Sequence, residues 1–313
     1  MNQWMPRAAA AAALLALTLP INALSAQIFR AGIDVVSLNV TVTEGDALIP
    51  GLDQPLFAVY EDGVKQEISY FSRAAQPIAL SLLIDTSTSM ELKLPVAQQA
   101  AIGFARRLTG SDAAQIIDFD SRVEILQTFT ADPTLLDAAI RRTQVGGSTS
   151  LYNALYVALS ELKRVRAASK EEIRRQAVVI LSDGEDTSSL INYEDVLDSA
   201  KRSEVAVYAI GLRSRTDRPT RGFNEAEFVL RTLSQETGGR VFFVEDVGQL
   251  PAIYQRIADE LANQYTIAYS SKNLKRDGAW RAIVVRVERP NTVARTKRGY
   301  FAPSLPKSPV SRP

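Results

Sequence analysis

The stretch Ile78-Ala79-Leu80-Ser81-Leu82-Leu83-Ile84-Asp85-Thr86-Ser87-Thr88-Ser89-Met90 decides how the rest of the chain is read. Its first seven residues form a nearly continuous apolar run, the pattern of a strand buried on both faces. The run stops at a carboxylate and then sets two hydroxyls at alternate positions. Asp85-x-Ser87-x-Ser89 thus places three hard oxygen donors on one short loop at the carboxyl end of a strand, where open α/β sheets put their ligand sites. One carboxylate with neutral hydroxyls suits a small, hard divalent cation that keeps several waters, Mg2+ rather than Zn2+. Taken alone, the loop reads equally as a Ser/Thr-rich turn capping the next helix. The flanking sequence has to decide.

Outward from this loop, strand and helix patterns alternate. Val96, Ala100, Phe104 and Leu108 recur every four residues and predict an amphipathic helix starting near Pro95. Gln115 to Phe119 and Val123 to Leu126 read as two strands joined at Asp120-Ser121, and Pro133 to Thr143 as a short helix. Leu151, Leu155, Leu159 and Leu162 stripe a helix running to about Arg166. A third buried strand, Ala177 to Leu181, ends at Ser182-Asp183-Gly184. Helix 194–202, strand 205–210, helix 225–236 closed by Gly238-Gly239, strand 241–244 and helix 248–262 complete the series. Buried strands alternating with amphipathic helices imply a doubly wound, mainly parallel sheet with helices on both faces, the 116–126 pair adding an antiparallel edge.

Both flanks read differently. Residues 33–43 alternate, with Val36, Leu38, Val40 and Val42 on one face and Ser37, Asn39, Thr41 and Thr43 on the other, as in a half-buried antiparallel strand. Residues 57–72 read as a hairpin turning at Asp62-Gly63. After residue 263 the strand pattern returns at 264–270 and 281–288, with one more strand over 293–301. The expectation is a small β subdomain assembled from 27–75 and 263–302 around a central α/β domain at 76–262, because so few strands need a packing surface. Residues 303–313 read as a flexible tail.

Met1 to Ala26 reads as a secretory signal peptide: Arg7 in the n-region, Ala8 to Leu19 as the apolar core, and small residues before a cut ahead of Gln27. The competing reading, an uncleaved anchor, needs about 20 apolar residues to span a bilayer, more than this core has. The mature chain is therefore expected to be exported, periplasmic or secreted, and without cysteine it is not a lipoprotein.

Composition narrows the chemistry. The 313 residues carry a net charge of +1, which offers no bulk attraction to nucleic acid or an anionic membrane. Hydrophobic content of 46% and charged content of 23% are ordinary for a globular chain. The sequence contains no His and no Cys, which removes Ser-His-Asp and Cys-His catalysis, thiolate zinc sites and His-ligated metals. A metal here must be held by oxygen. Gly-x-Gly-x-x-Gly after a strand, the Gly-Lys-Ser/Thr phosphate loop and Gly-x-Ser-x-Gly are also absent.

The Asp85 loop resembles the metal-ion-dependent adhesion site of von Willebrand factor A domains, whose signature is D-x-S-x-S. Gly146-Gly147-Ser148-Thr149-Ser150-Leu151-Tyr152-Asn153-Ala154-Leu155 resembles that family's G-G-x-T-x-L segment, and Leu181-Ser182-Asp183-Gly184 its strand-end T/S-D-G segment. Each has a plain reading as a turn or a cap, but the three stand in the family's order, each on the matching element. The opening Ile28 to Val36, Tyr60-Glu61-Asp62-Gly63 and the closing Lys297-Arg298-Gly299-Tyr300-Phe301 resemble bacterial exported VWFA-related domain proteins, with motifs that carry no chemistry.

The resemblance implies a metal site made of Asp85, Ser87, Ser89, Thr149 and Asp183. It holds Mg2+, with Mn2+ or Ca2+ as alternatives, and leaves one coordination position for an Asp or Glu of a partner protein. Two carboxylates at most leave the ion electrophilic, which favours such an anionic ligand. Glu185 and Asp186 lie beside the site and are candidates to tune that preference. Arg213, Arg215, Arg218 and Arg221 follow the strand ending near Ile210, on the same sheet edge, where they would steer an acidic partner. The function implied is an exported, non-catalytic binding module for adhesion or envelope assembly. Two other readings stand beside it. A Mg-dependent phosphatase-like hydrolase with Asp85 as nucleophile needs a second Asp two residues on, where Ser87 stands. A structural envelope protein would bind through its β subdomain.

Overall fold

The computed structural model describes residues 35–168, 174–183, 185–213 and 225–304. The signal-peptide reading, Arg215, Arg218, Arg221 and residues 305–313 lie outside them. Strands β1 (Val35–Glu44), β2 (Ala47–Leu48), β3 (Phe57–Glu61), β4 (Val64–Gln66) and β5 (Ile68–Ser72) come first. The alternating section runs β6 (Ile78–Asp85), α1 (Leu94–Ala105), β7 (Ala113–Phe119), β8 (Val123–Thr130), α2 (Pro133–Arg141), α3 (Leu151–Ala168), β9 (Arg175–Ser182), α4 (Tyr193–Ser203), β10 (Ala206–Leu212), α5 (Glu225–Thr237), β11 (Val241–Val244) and α6 (Leu250–Ala262). Strands β12 (Tyr265–Ser270), β13 (Trp280–Val287), β14 (Thr292–Arg295) and β15 (Gly299–Phe301) follow.

The central sheet has the order β11-β10-β9-β6-β7-β8. Neighbours are parallel except β8, which pairs antiparallel with β7 at one edge. Every residue of β6 and β9 is buried, which is why both read as unbroken apolar runs. Leu80, Leu82 and Ile84 of β6 face a core shared with α1, α2 and α6, while Ala79 and Leu83 face α3, α4 and α5. This is the doubly wound α/β fold. From β6 the chain first winds toward β8, then crosses back to β9 and winds the other way. The loops leaving β6 and β9 therefore part company, and the crevice between them is where such sheets bind ligands.

Helix ends follow local chemistry. Asp132 caps α2, accepting from the Thr134 amide at 2.8 Å with Pro133 at the first turn. Asn192 caps α4 in the same way through the Asp195 amide at 2.8 Å, and Lys201 and Arg202 close that helix at its negative end.

Strands from the two ends of the chain pair with each other. One sheet runs β14-β1-β12-β5 with β2 beside β1, and a second runs β15-β13-β3-β4. Val36, Leu38, Val40, Phe57, Val59, Tyr265, Ile267, Tyr269, Ile283 and Val285 form the core between them. Glu61, 2% exposed, accepts hydrogen bonds from the hydroxyls of Tyr269 (2.9 Å), Tyr300 (3.1 Å) and Ser271 (2.6 Å), so the Tyr-Glu-Asp-Gly and Gly-Tyr-Phe segments meet at one buried carboxylate.

Four expectations need correction. The 57–72 hairpin ends at Gln66: β4 pairs with β3, but β5 leaves for the other sheet and pairs with β12. In α1, Val96 is 38% exposed, and Leu94, Ala97, Ala101 and Phe104 face the core. An Ala-rich helix hides its register from a count of large apolar residues. The expected strand at 293–301 is two short ones, β14 on β1 and β15 on β13. Order also continues past 303, where Ser304 bridges to Asp277.

Candidate metal centre

Three loops converge at the carboxyl ends of β6 and β9. Asp85, the last residue of β6, is fully buried; its Oδ1 accepts from the Ser87 amide at 2.9 Å and its Oδ2 from the Ser182 hydroxyl at 2.5 Å. Ser87, also buried, lies 3.1 Å from Ser89 hydroxyl to hydroxyl, and Ser89 donates to Asp183 Oδ1 at 2.7 Å. Those contacts join the β6 loop to the β9 loop. Asp183 has a side chain only 2% exposed.

The third loop is held by backbone. The Gly147 carbonyl accepts from the Thr88 amide (3.1 Å) and hydroxyl (2.9 Å), and the Gly146 amide donates to the Thr86 carbonyl at 2.8 Å. Gly147 has φ +62°, and a Cβ there would stand 2.5 Å from Ser121 Oγ, so the glycine pair is set by the β7–β8 turn packed against it. Thr149 is 5% exposed. Its carbonyl accepts from the amides of Thr187 (2.8 Å) and Ser188 (3.0 Å), and its amide donates to the Thr187 hydroxyl at 3.0 Å. All three loops are thus bonded to one another.

The electrostatics of Asp85 test the fit of a cation. Burial pushes its carboxyl above the usual range, opposed by the hydrogen bonds from Ser182 and Ser87 and reinforced by the Asp183 charge. No basic side chain among the described residues pairs with it. Beside it stand a second carboxylate, Asp183, and the hydroxyls of Ser87 and Ser89, with Thr149 joined to them through the backbone of its loop; these candidates offer oxygen alone, which suits a hard divalent ion. The residues fit the group.

The partner-tuning candidates are placed less uniformly. Glu185 is exposed. Asp186 has a structural job, accepting from the Tyr152 amide at the start of α3 (3.1 Å) and from the Ser189 hydroxyl (2.6 Å). Arg213 follows β10 at the same sheet edge, but its guanidinium is engaged by both carboxylate oxygens of Glu227 at 2.7 and 3.0 Å. Sequence reasoning missed Ser182 as the donor to Asp85, Thr86 and Thr88 as loop ties, and Lys93, whose ammonium pairs with Asp183 Oδ2. Only Lys93 left a trace in the sequence: a lysine at the position preceding a helix, where a capping side chain is usual.

With this geometry established, the comparisons are decisive about family. The model of the von Willebrand factor type A domain matches residues 80–256, over half of the 313 residues. The chain belongs to the von Willebrand factor type A family. Among solved structures it resembles a von Willebrand factor type A protein from Catenulispora acidiphila, at 12% identity and TM-score 0.51, covering 88% of this chain and 76% of that one. It also resembles proximal thread matrix protein 1 of the mussel byssus, in a structure described as having a zinc-occupied MIDAS motif, at 15% identity and TM-score 0.50, covering 64% and 50%. Identities this low speak for the fold alone. No curated protein matches the sequence at a significant level.

Proposed function

We propose that this von Willebrand factor type A chain is a non-catalytic binding module that holds a divalent cation on Asp85, Ser87, Ser89, Thr149 and Asp183 and uses it to bind an Asp or Glu of a partner protein. The observation that carries the reading is the Asp85 carboxylate: fully buried, without a basic partner among the described residues, and set among hydroxyls where the sheet's winding reverses. A bound cation would supply the missing charge, and its open coordination position would take an anionic ligand. The oxygen-only donor set supports Mg2+ or Mn2+ over softer ions. One solved structure, 15% identical, is described with zinc in its MIDAS motif, so Zn2+ joins the ions to be tested.

Two leucines support a protein partner. Leu92, 91% exposed, follows the Asp85 loop, and Leu190, 96% exposed, lies just beyond the Thr187–Ser188 contacts to Thr149. Exposed apolar side chains on the loops that carry the candidate ligands suit a partner that presents a carboxylate with aliphatic neighbours. An adhesive or envelope-assembling role belongs to the same proposal and rests on the expected export of the chain. No helix among the described residues is long and apolar enough to cross a membrane.

The test is thermal unfolding of the protein in EDTA, Mg2+, Mn2+, Ca2+ or Zn2+, beside Asp85→Ala. An ion that binds only the folded state adds about 2.7 kcal/mol at a hundredfold excess over its dissociation constant. A rise seen with Mg2+ or Mn2+ and lost in Asp85→Ala supports the site. No response to any ion, with Lys93→Met as silent as the unaltered chain, refutes the metal-dependent reading and directs attention to the β sandwich as the binding surface.

A further inference from the structure

Lys93 stands where neither helix chemistry nor the metal reading asks for it. It occupies the N-cap of α1, its side chain makes no capping bond, and it places a cation at the positive end of a helix. Ser, Thr, Asp or Asn is favoured at such a position, and a cation there is opposed by the helix dipole. The compensation is Asp183: the Lys93 ammonium pairs with its Oδ2 while the Ser89 hydroxyl takes Oδ1. Both oxygens of the carboxylate are therefore engaged. Backbone bonds hold the lysine's position, its amide to the Met90 carbonyl at 2.9 Å and its carbonyl to the Ala97 amide at 3.0 Å.

We propose that Lys93 is a tethered cation that neutralises Asp183 in the ion-free protein and competes with the divalent cation for that carboxylate. The inference rests on the metal reading above and adds a competitor within the chain. An ammonium and a divalent ion on one carboxylate repel each other, and the repulsion is strong where the carboxylate is nearly buried. The lysine stem is flexible and its side chain is 24% exposed, so the ammonium has a path to water, while the Asp183 side chain is only 2% exposed. Two consequences follow. The ion-free fold keeps Asp183 paired, and ion binding must displace that pairing, which weakens the apparent affinity. The site is then tuned to bind its ion loosely, and a partner's carboxylate that ligates the ion favours the lysine-out arrangement.

The experiment measures Mn2+ and Mg2+ binding by titration calorimetry on the full chain, Lys93→Met, Lys93→Gln and Asp85→Ala, with unfolding temperatures in EDTA. Circular dichroism confirms that each variant is folded. The expected result is a tenfold or greater gain in Mn2+ affinity in both Lys93 variants. It comes with a lower unfolding temperature in EDTA and a larger rise on adding Mn2+. Binding by the Lys93 variants where the unaltered chain shows none is the same result in extreme form. If the unaltered chain binds and the Lys93 variants bind equally or more weakly, the competition is refuted and the metal site stands. If no protein binds either ion, the metal reading falls and takes this inference with it.

Discussion

Asp118 sits beside the candidate metal centre at the end of β7 and receives the Thr86 hydroxyl at 2.5 Å. Burial pushes its carboxyl up to about 6; the Thr86 bond opposes the rise, and the charges of Asp120, Glu124 and Asp85 add to it. The sign of the linkage follows directly. Between about pH 4 and 6 the folded chain keeps a proton that the unfolded chain has already released, so stability falls as pH rises through that window. Asp118→Asn removes the titrating group and keeps an acceptor for Thr86. In EDTA it should flatten this part of the profile and be the more stable protein above pH 6. Asp118 is partly open to solvent, so the gain should be about 1 kcal/mol, well below the full linkage value of about 3. Urea unfolding of both proteins at pH 4.5, 6 and 7.5 would show it. Parallel profiles would mean that Asp118 titrates normally.

At the scale of elements, the centre depends on loops whose shape is set by what they pack against. Gly147, at φ +62° with Ser121 Oγ 2.5 Å from any added Cβ and the Ser121 backbone nitrogen 3.0 Å away, holds the 146–149 loop against the β7–β8 turn. Gly147→Ala should cost about 2 kcal/mol, from left-handed backbone strain plus displacement of that turn, and should weaken ion binding through Thr149. Gly103→Ala is the contrast: Gly103 is exposed within α1, nothing lies within 4 Å of its missing Cβ, and the substitution should add about 0.5–1 kcal/mol. Denaturant midpoints for the pair decide between a steric requirement at 147 and a general cost of any change. The loops that carry Asp85, Ser87, Ser89, Thr149 and Asp183 were legible because two of them follow buried strands and the third opens a helix; their role as ligands is what the ion titrations test. Three features were not legible: the Ser182 bond to Asp85, the steric demand on Gly147 and the Lys93–Asp183 pair. Each depends on a partner 26 to 97 positions away, and no local pattern encodes such a meeting.

Across the whole molecule, the far end of the central sheet is tied to the β sandwich by a buried arginine. The alternation in β1 and β13 marked both as half-buried strands, but the sequence could not place β5 on one sheet and β4 on the other, because the crossover spans one residue, Glu67. Nor could it place Arg175. This residue, 3% exposed, opens β9 and donates to the carbonyls of Leu261 (3.0 Å) and Gln264 (2.8 Å) and to the Thr266 hydroxyl (3.0 Å). It thereby joins the end of α6 to the start of β12, with no carboxylate partner among the described residues. Arg175→Met keeps the length and removes the donors. Three buried acceptors lose their partner, while relief of the desolvated charge offsets part of the loss, so a net cost of about 2 kcal/mol is expected. The candidate ion site lies at the other end of the same strand, eight residues away, roughly 25 Å at the rise of a β-strand. Groups that far apart with no shared partner should act independently. Arg175→Met should therefore lower the urea midpoint and leave the Mn2+-induced stabilisation unchanged. Combined with Asp85→Asn, its effect should be additive within about 0.5 kcal/mol. A coupling larger than that would mean that the sandwich and the metal centre report to each other through β9, and the sandwich would then be part of the binding device rather than its support.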